Sequence, residues 1–143
     1  MSTTHGLVWW SELMTGDVTG CRAYYETVCG WRFEEMPMGD GVYLIAHAHG
    51  KPVAGMMDTA SLPSASDRYP HWMTYLAVDD VDSALERAKA AGGHVEREPF
   101  EVPGVGRIAI ARDAGGAVVG LMTPVTQWDA DAPGEPSLEN VPV

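Results

Sequence analysis

The sequence predicts an α+β fold made of two βαβββ modules. Three observations carry this. The stretch Trp72–Gly93 is a strand followed by a capped helix with a glycine stop. The first part of the chain repeats that unit in the same order of caps and stops. Short runs of aromatic and β-branched residues, bounded by Gly and Pro, come after each helix as further strands.

Trp72–Val78 is rich in strand-forming side chains. Asp79 or Asp80 can cap the helix after it, because a carboxylate satisfies the orphan N–H groups of a first helical turn. Val81, Ala84, Leu85 and Ala88 recur at helical spacing and give one apolar face. Gly92 or Gly93 ends the helix, since glycine enters the left-handed region freely.

From the start of the chain, Gly6–Met14 reads as a strand. Asp17 caps a helix whose apolar face is Val18, Cys21, Tyr24, Tyr25, Val28 and Cys29, and Gly30 stops it. Trp31–Met36 is a short strand, Pro37–Gly41 turn-rich, and Val42–Ala46 a strand. His47-Ala48-His49-Gly50 is expected to be a hairpin turn, with Lys51–Met57 returning. Asp58–Pro70 has linker composition. After the second helix come a strand at His94–Arg97, a Gly/Pro loop at Val102–Gly106, a strand at Arg107–Arg112, a turn at Asp113–Gly116, and a last strand at Ala117–Thr123. The expected organisation is a first module at 6–57, a linker at 58–70, a second module at 71–124 and an acidic, mobile tail at 125–143, where Trp128 could pin part of the chain.

The repeat is specific. At one constant offset Trp9, Leu13, Asp17 and Gly30 fall on Trp72, Leu76, Asp80 and Gly93. At a second, Gly41, Ile45, Ala46, Gly50, Val53, Gly55 and Met57 fall on Gly106, Ile110, Ala111, Gly115, Val118, Gly120 and Met122.

Composition bounds the function. The 143 residues carry 20 acidic and 9 basic side chains, a net charge of −11. That disfavours nucleic acid, whose binding needs basic surface, and anionic membranes. It suits a neutral or cationic small ligand, although acidic surfaces also serve solubility. No basic-then-apolar leader and no apolar run of about 20 residues is present. Cys21 and Cys29 sit on one predicted helix, roughly 12 Å apart at about 1.5 Å per residue, beyond disulfide reach. They read as reduced core residues of a cytoplasmic protein.

Asp17, Tyr24-Tyr25-Glu26 and Gly30-Trp31, then Tyr75–Asp80, then Asp113-Ala114-Gly115-Gly116 before the last strand, resemble the vicinal oxygen chelate superfamily of glyoxalase I, bleomycin-resistance proteins and extradiol dioxygenases. The last segment departs from the commoner Asp-Pro-x-Gly form. The resemblance covers residues 6–124 and is strongest to glyoxalase-like members. It implies a curved mixed sheet, a cup with helices outside, and frequent homodimers. In metal-dependent members His, Glu or Gln from four strands hold the ion. The corresponding positions here are Trp10, Met73, Gly55 and Gly120. None offers a suitable nitrogen or oxygen, so no metal and no cofactor is expected. His47-Ala48-His49 has a spacing that can chelate but reads as exposed turn histidines. His5 and His94 read as surface.

Period two from Trp10 and Met73 places Val8, Glu12 and Met14, and His71, Tyr75 and Ala77, on the cup face, joined by Val53, Met57, Val118 and Met122. Trp9, Leu13, Trp72, Thr74 and Leu76 should pack under the helices. The expected ligand set is Trp10, Glu12, Met57, His71, Met73, Tyr75, Arg107 and Met122, few polar groups in an apolar concavity. Glu12 could serve as a base, a counterion for a ligand amine, or a structural partner of Arg107 or His71. Arg107 could hold a ligand carboxylate. Three functions stand. The first is a metal-free binder of a small, apolar or aromatic ligand, which the acidic balance allows to be cationic. The second is a glyoxalase-like lyase or isomerase with Glu12 as base and His71 or Tyr75 as acid. The third is an oligomerisation or regulatory module whose cup is merely core.

Overall fold

The computed structural model describes residues 3–38, 41–60, 69–102 and 105–125. Most of the predicted linker and tail, Trp128 included, lies outside them. In chain order the elements are β1 (Val8–Thr15), α1 (Val18–Cys29), β2 (Arg32–Met38), β3 (Gly41–Ala48), β4 (Lys51–Asp58), β5 (His71–Ala77), α2 (Val81–Ala90), β6 (His94–Val102), β7 (Gly106–Arg112) and β8 (Val118–Pro124). This is a mixed-sheet α+β fold with the βαβββ order twice.

The strands run β2-β3-β4-β1 in the first half and β5-β8-β7-β6 in the second. In each, the first and last strands of the module pair in parallel and the other pairs are antiparallel. The registers correspond residue by residue. Glu12 faces Gly55 as Tyr75 faces Gly120, and Ile45 faces Gly55 as Ile110 faces Gly120. The duplication read from caps and glycines is therefore a duplication of hydrogen-bond register.

Two compact units are present. One runs from Trp10 to Met73; the other joins the residues up to Trp9 with those from Thr74 onward. Within the latter, Gly6 N–H donates to Ala77 O (2.7 Å) and Ala77 N–H to Leu7 O (2.9 Å).

The helices begin and end where the sequence places them. Asp17 Oδ1 accepts from Gly20 N–H at 2.9 Å, and Gly30 closes α1 in the left-handed region at φ 70°. Asp80 Oδ1 accepts from Asp82 N–H at 3.1 Å. Past α2, Gly92 takes φ 97°. The helices differ in how they are held. Val81, Ala84 and Leu85 of α2 are buried against Val78, Ala109, Ala111 and Leu121. No residue of α1 is fully buried. Its Val18, Cys21 and Tyr25 pack half-buried against Leu13, Leu44 and Met56, and Tyr25 stacks on Trp31 with Trp72 edge-on. Cys29 is exposed and Cys21 half-buried, both free thiols, so Cys29 is not the core residue expected.

Several boundaries differ from expectation, and in three places the difference bears on the site or the turns. β2 continues through Pro37 to Met38. β6 runs on to Val102, with register shifts around Arg97 that accommodate Pro99 at an edge strand; Arg97 lies over the Phe100 ring at 3.8 Å. His47 and Ala48 belong to β3. The turn is His49-Gly50 alone, both at positive φ, 54° and 79°, a combination that suits a two-residue hairpin. No helix among the described residues is long and apolar enough to cross a membrane.

Candidate functional site

In the Trp10–Met73 unit, β1 carries Trp10 and Glu12 on the face away from α1. Trp10 is 7% exposed and Glu12 1%. Trp10 Nε1–H donates to Tyr43 Oη at 3.1 Å, so the indole and phenol form one hydrogen-bonded plate. The plate rests on Gly55: a Cβ there would run into Tyr43 Oη and stand 3.0 Å from Trp10 Nε1. Glycine is needed here because the space above it is already taken by an aromatic ring. Met73 is buried, Met57 half-buried and paired across the ladder with Tyr43.

The second unit repeats the device. Tyr75, 4% exposed, lays its ring over Gly120, where a Cβ would strike it. Met122 and Ile108 are fully buried beside each other in the β7–β8 ladder.

Sequence reasoning missed Tyr43. β3 is apolar on both faces from Tyr43 to Ala46, so no alternation shows which side faces the cup. The signal that could have found it is Gly55 itself, a glycine inside a strand marking close approach of another group.

The four positions that hold the ion in metal-dependent relatives carry the wrong chemistry here. Trp10 spends its only polar hydrogen on Tyr43. Met73 offers a thioether. Above Gly55 and Gly120 stand rings of the chain itself. These residues do not fit an ion held as in those relatives. Among the described residues no three or more His, Cys, Asp or Glu side chains are placed to hold one ion.

His71 opens β5. Its Nδ1 lies 3.0 Å from Tyr69 O, and its ring stacks on Tyr69 at 4.3 Å. A carbonyl only accepts, so Nδ1 is the donor in this contact, which in a neutral ring leaves Nε2 as an acceptor. Nε2 is buried and makes no hydrogen bond to the described residues.

Arg107 stands elsewhere. Its Nε and Nη2 donate to Asp82 Oδ2 and Oδ1 of α2 at 2.8 and 3.1 Å, and Nη1 to Glu101 Oε2 at 2.9 Å. Two carboxylates engage the fork on the helix side of the sheet. The guanidinium pulls the Asp82 carboxyl below its ordinary 3.8, and the paired acids raise the Arg107 pKa further. A ligand carboxylate, the role expected of Arg107, would have to compete with Asp82 and Glu101 for its guanidinium.

His5 and His94 are exposed; His5 Nδ1 accepts Asp79 N–H at 2.9 Å. His47, expected in a turn, is instead a strand residue with Nε2 3.3 Å from Glu34 Oε1.

The profile of the Glyoxalase/Bleomycin resistance protein/Dioxygenase superfamily matches residues 7–121. The chain belongs to this superfamily. It is 36% identical over 115 residues to the putative glyoxylase CFP32 of Mycobacterium bovis, covering 78% of this chain and 43% of that protein. It is 30% identical over 138 residues to the anthracycline biosynthesis protein DnrV of Streptomyces peucetius, covering 89% of this chain and 50% of the relative. The chain thus spans about half the length of these curated relatives. Among solved structures it is similar to methylmalonyl-CoA epimerase from Mycobacterium tuberculosis (TM-score 0.60, 18% identity, 89% of this chain and 94% of that one). It is also similar to the hypothetical protein BH1468 from Bacillus halodurans C-125 (TM-score 0.66, 10% identity, 87% and 98%). At these identities the structural likeness concerns the fold alone.

Proposed function

We propose that this chain binds a small aromatic or largely apolar ligand without a metal ion. The observation that carries the reading is the buried His71 Nε2, which makes no hydrogen bond to the described residues. Buried polar atoms are almost always hydrogen-bonded, and an exception calls for a partner such as a water, an ion or a ligand group. The ligand therefore carries an N–H or O–H donor. Half-buried His71 and Met57 are the residues it meets first. Trp10, Tyr43, Glu12 and Met73 line the same unit beneath, and Tyr75 and Met122 are the corresponding lining of the other. Arg107 is left out. The excess of carboxylates favours a neutral or cationic compound. Relatives named for anthracycline biosynthesis support an aromatic one.

The test is a thermal-shift screen of aromatic amines and phenols on protein kept in EDTA. Ligand at about a hundredfold over its Kd should add roughly 2.7 kcal/mol. His71→Leu should abolish the shift while leaving the unliganded melting point unchanged or higher. A screen with no hits, or hits that EDTA removes, defeats the reading.

The second reading is a metal-independent lyase or isomerase with Glu12 as base. Burial of that carboxylate at 1% exposure favours it. Glu12→Gln separates the two: a binder of neutral ligands retains affinity, whereas an acid–base enzyme loses turnover by roughly a hundredfold or more. A cytoplasmic homodimer completes the proposal. Its support is relatives of about twice the length and the exposed apolar Tyr24 and Val28 of α1. Light scattering on the purified chain decides it.

A further inference from the structure

One row of cross-strand neighbours differs between the two halves. In the Trp10–Met73 unit, Met14 of β1 lies beside Met57 of β4, Met57 opposite Tyr43 of β3, and Tyr43 opposite Met36 of β2. Registered neighbours project from the same side of a sheet. By alternation this is the side away from Leu13, Leu44 and Met56, on which α1 packs. Tyr43 is fully buried, while the three methionines around it are half-buried. The other unit repeats the row, with Ala77 beside Met122, Met122 opposite Ile108, and Ile108 opposite Phe100. There Ala77, Met122 and Ile108 are all closed off at 0% exposure. The same row is sealed core in one unit and reachable in the other.

Residue type follows exposure. Ala77 and Ile108 fill a fixed shape. Methionines at the matching edge positions give a flexible, polarisable lining that conforms to aromatic rings and makes sulfur–ring contacts. Tyr43, tied to the Trp10 N–H at 3.1 Å and seated over Gly55, is the rigid centre between them. Four strands about 4.8 Å apart span about 14 Å, far more than a single ring covers. We propose that Met14, Met57, Tyr43 and Met36 form the floor for the flat face of the ligand, and that the ligand is a fused aromatic system of three or four rings carrying a hydroxyl or amine donor. This rests on the ligand reading above and narrows it.

The test compares phenol, 2-naphthol and 2-hydroxyanthraquinone, each with one free phenolic hydroxyl, by calorimetry on the full chain in EDTA. Affinity should rise with ring count, by about tenfold or more from one ring to three, as buried apolar area grows. Met14→Ala and Met36→Ala should each weaken the three-ring compound roughly three- to tenfold through lost sulfur–ring contact and leave phenol unchanged. Phe100→Ala, in the sealed row, should change neither affinity. Methionine methyl NMR locates the compound whatever the variants do to folding: 2-hydroxyanthraquinone should shift the Met14, Met36 and Met57 signals. If none of the three compounds binds, the ligand reading falls and this inference with it. If phenol binds as tightly as the three-ring compound, or the three methyl signals stay in place while it binds, the ligand reading stands and the polycyclic floor is overturned.

Discussion

At the scale of single residues, Gly55 and Gly120 set the character of the interior. Each is glycine because a ring needs its volume. Gly55→Ala should therefore cost about 1–3 kcal/mol, as overpacking does, read from chemical denaturation. Shrinking the obstacle should recover part of the loss, so Gly55→Ala with Tyr43→Leu should destabilise less than the two separate changes added together. If the double variant is simply additive, Tyr43 is not the group for which Gly55 makes room. Tyr43→Phe leaves the buried Trp10 N–H without its acceptor and should cost roughly 1–3 kcal/mol.

The elements differ in how firmly they are attached. α2 buries Val81 and Leu85 almost completely, each worth roughly 1.5–3 kcal/mol. α1 rests on half-buried side chains and exposes Tyr24 and Val28. Amide exchange in α1 should be faster than in α2, because local opening follows buried apolar contact; equal protection would contradict this. Asp17→Ala removes the acceptor for Gly20 N–H and should cost about 1 kcal/mol. Much of this scale was legible in the sequence. Caps and glycine stops are local chemistry, readable from a few neighbouring residues, and both helices begin and end accordingly. Errors fell where a local signal was overridden. The turn-rich stretch from Pro37 suggested a break, yet edge strand β2 carries Pro37 in unbroken register, and edge strand β6 runs through Pro99 with a shifted one.

For the whole molecule, the duplicated register was the readable part, since it is written in the order of glycines. The partners of long side chains were not. Nothing near Arg107 in sequence announces that Asp82 across the fold will hold it. Strand alternation picked out Trp10, Glu12, Met73, Tyr75 and Met122, which are buried, but also Val8 and Val53, which are exposed, and it could not pick out Tyr43, where both faces are apolar. Charge acts at this scale too. The folded-state pKa of Asp82 is lowered, mainly by the Arg107 hydrogen bond. The unfolded chain therefore takes up the proton more readily. The pair's stabilisation is present above the ordinary value of 3.8 and is lost as pH falls through the lower folded value. Asp82→Asn should flatten the acid limb of the stability curve slightly, the pair being exposed. Lys89 is raised, chiefly by Glu86, so its small contribution persists below the ordinary 10.5 and fades as pH climbs through the higher folded value. With a charge of −11, added salt should raise the melting point near neutrality by screening self-repulsion.

The ring above each strand glycine also constrains how this chain could change over generations. A chelating side chain cannot simply appear at residue 120, because the tyrosine at 75 occupies its volume. The aromatic partner must shrink first, opening a void and weakening the fold, before the glycine can grow. Recovering an ion-based chemistry would thus demand an ordered double step in each half, and every intermediate on that path is less stable than where it started.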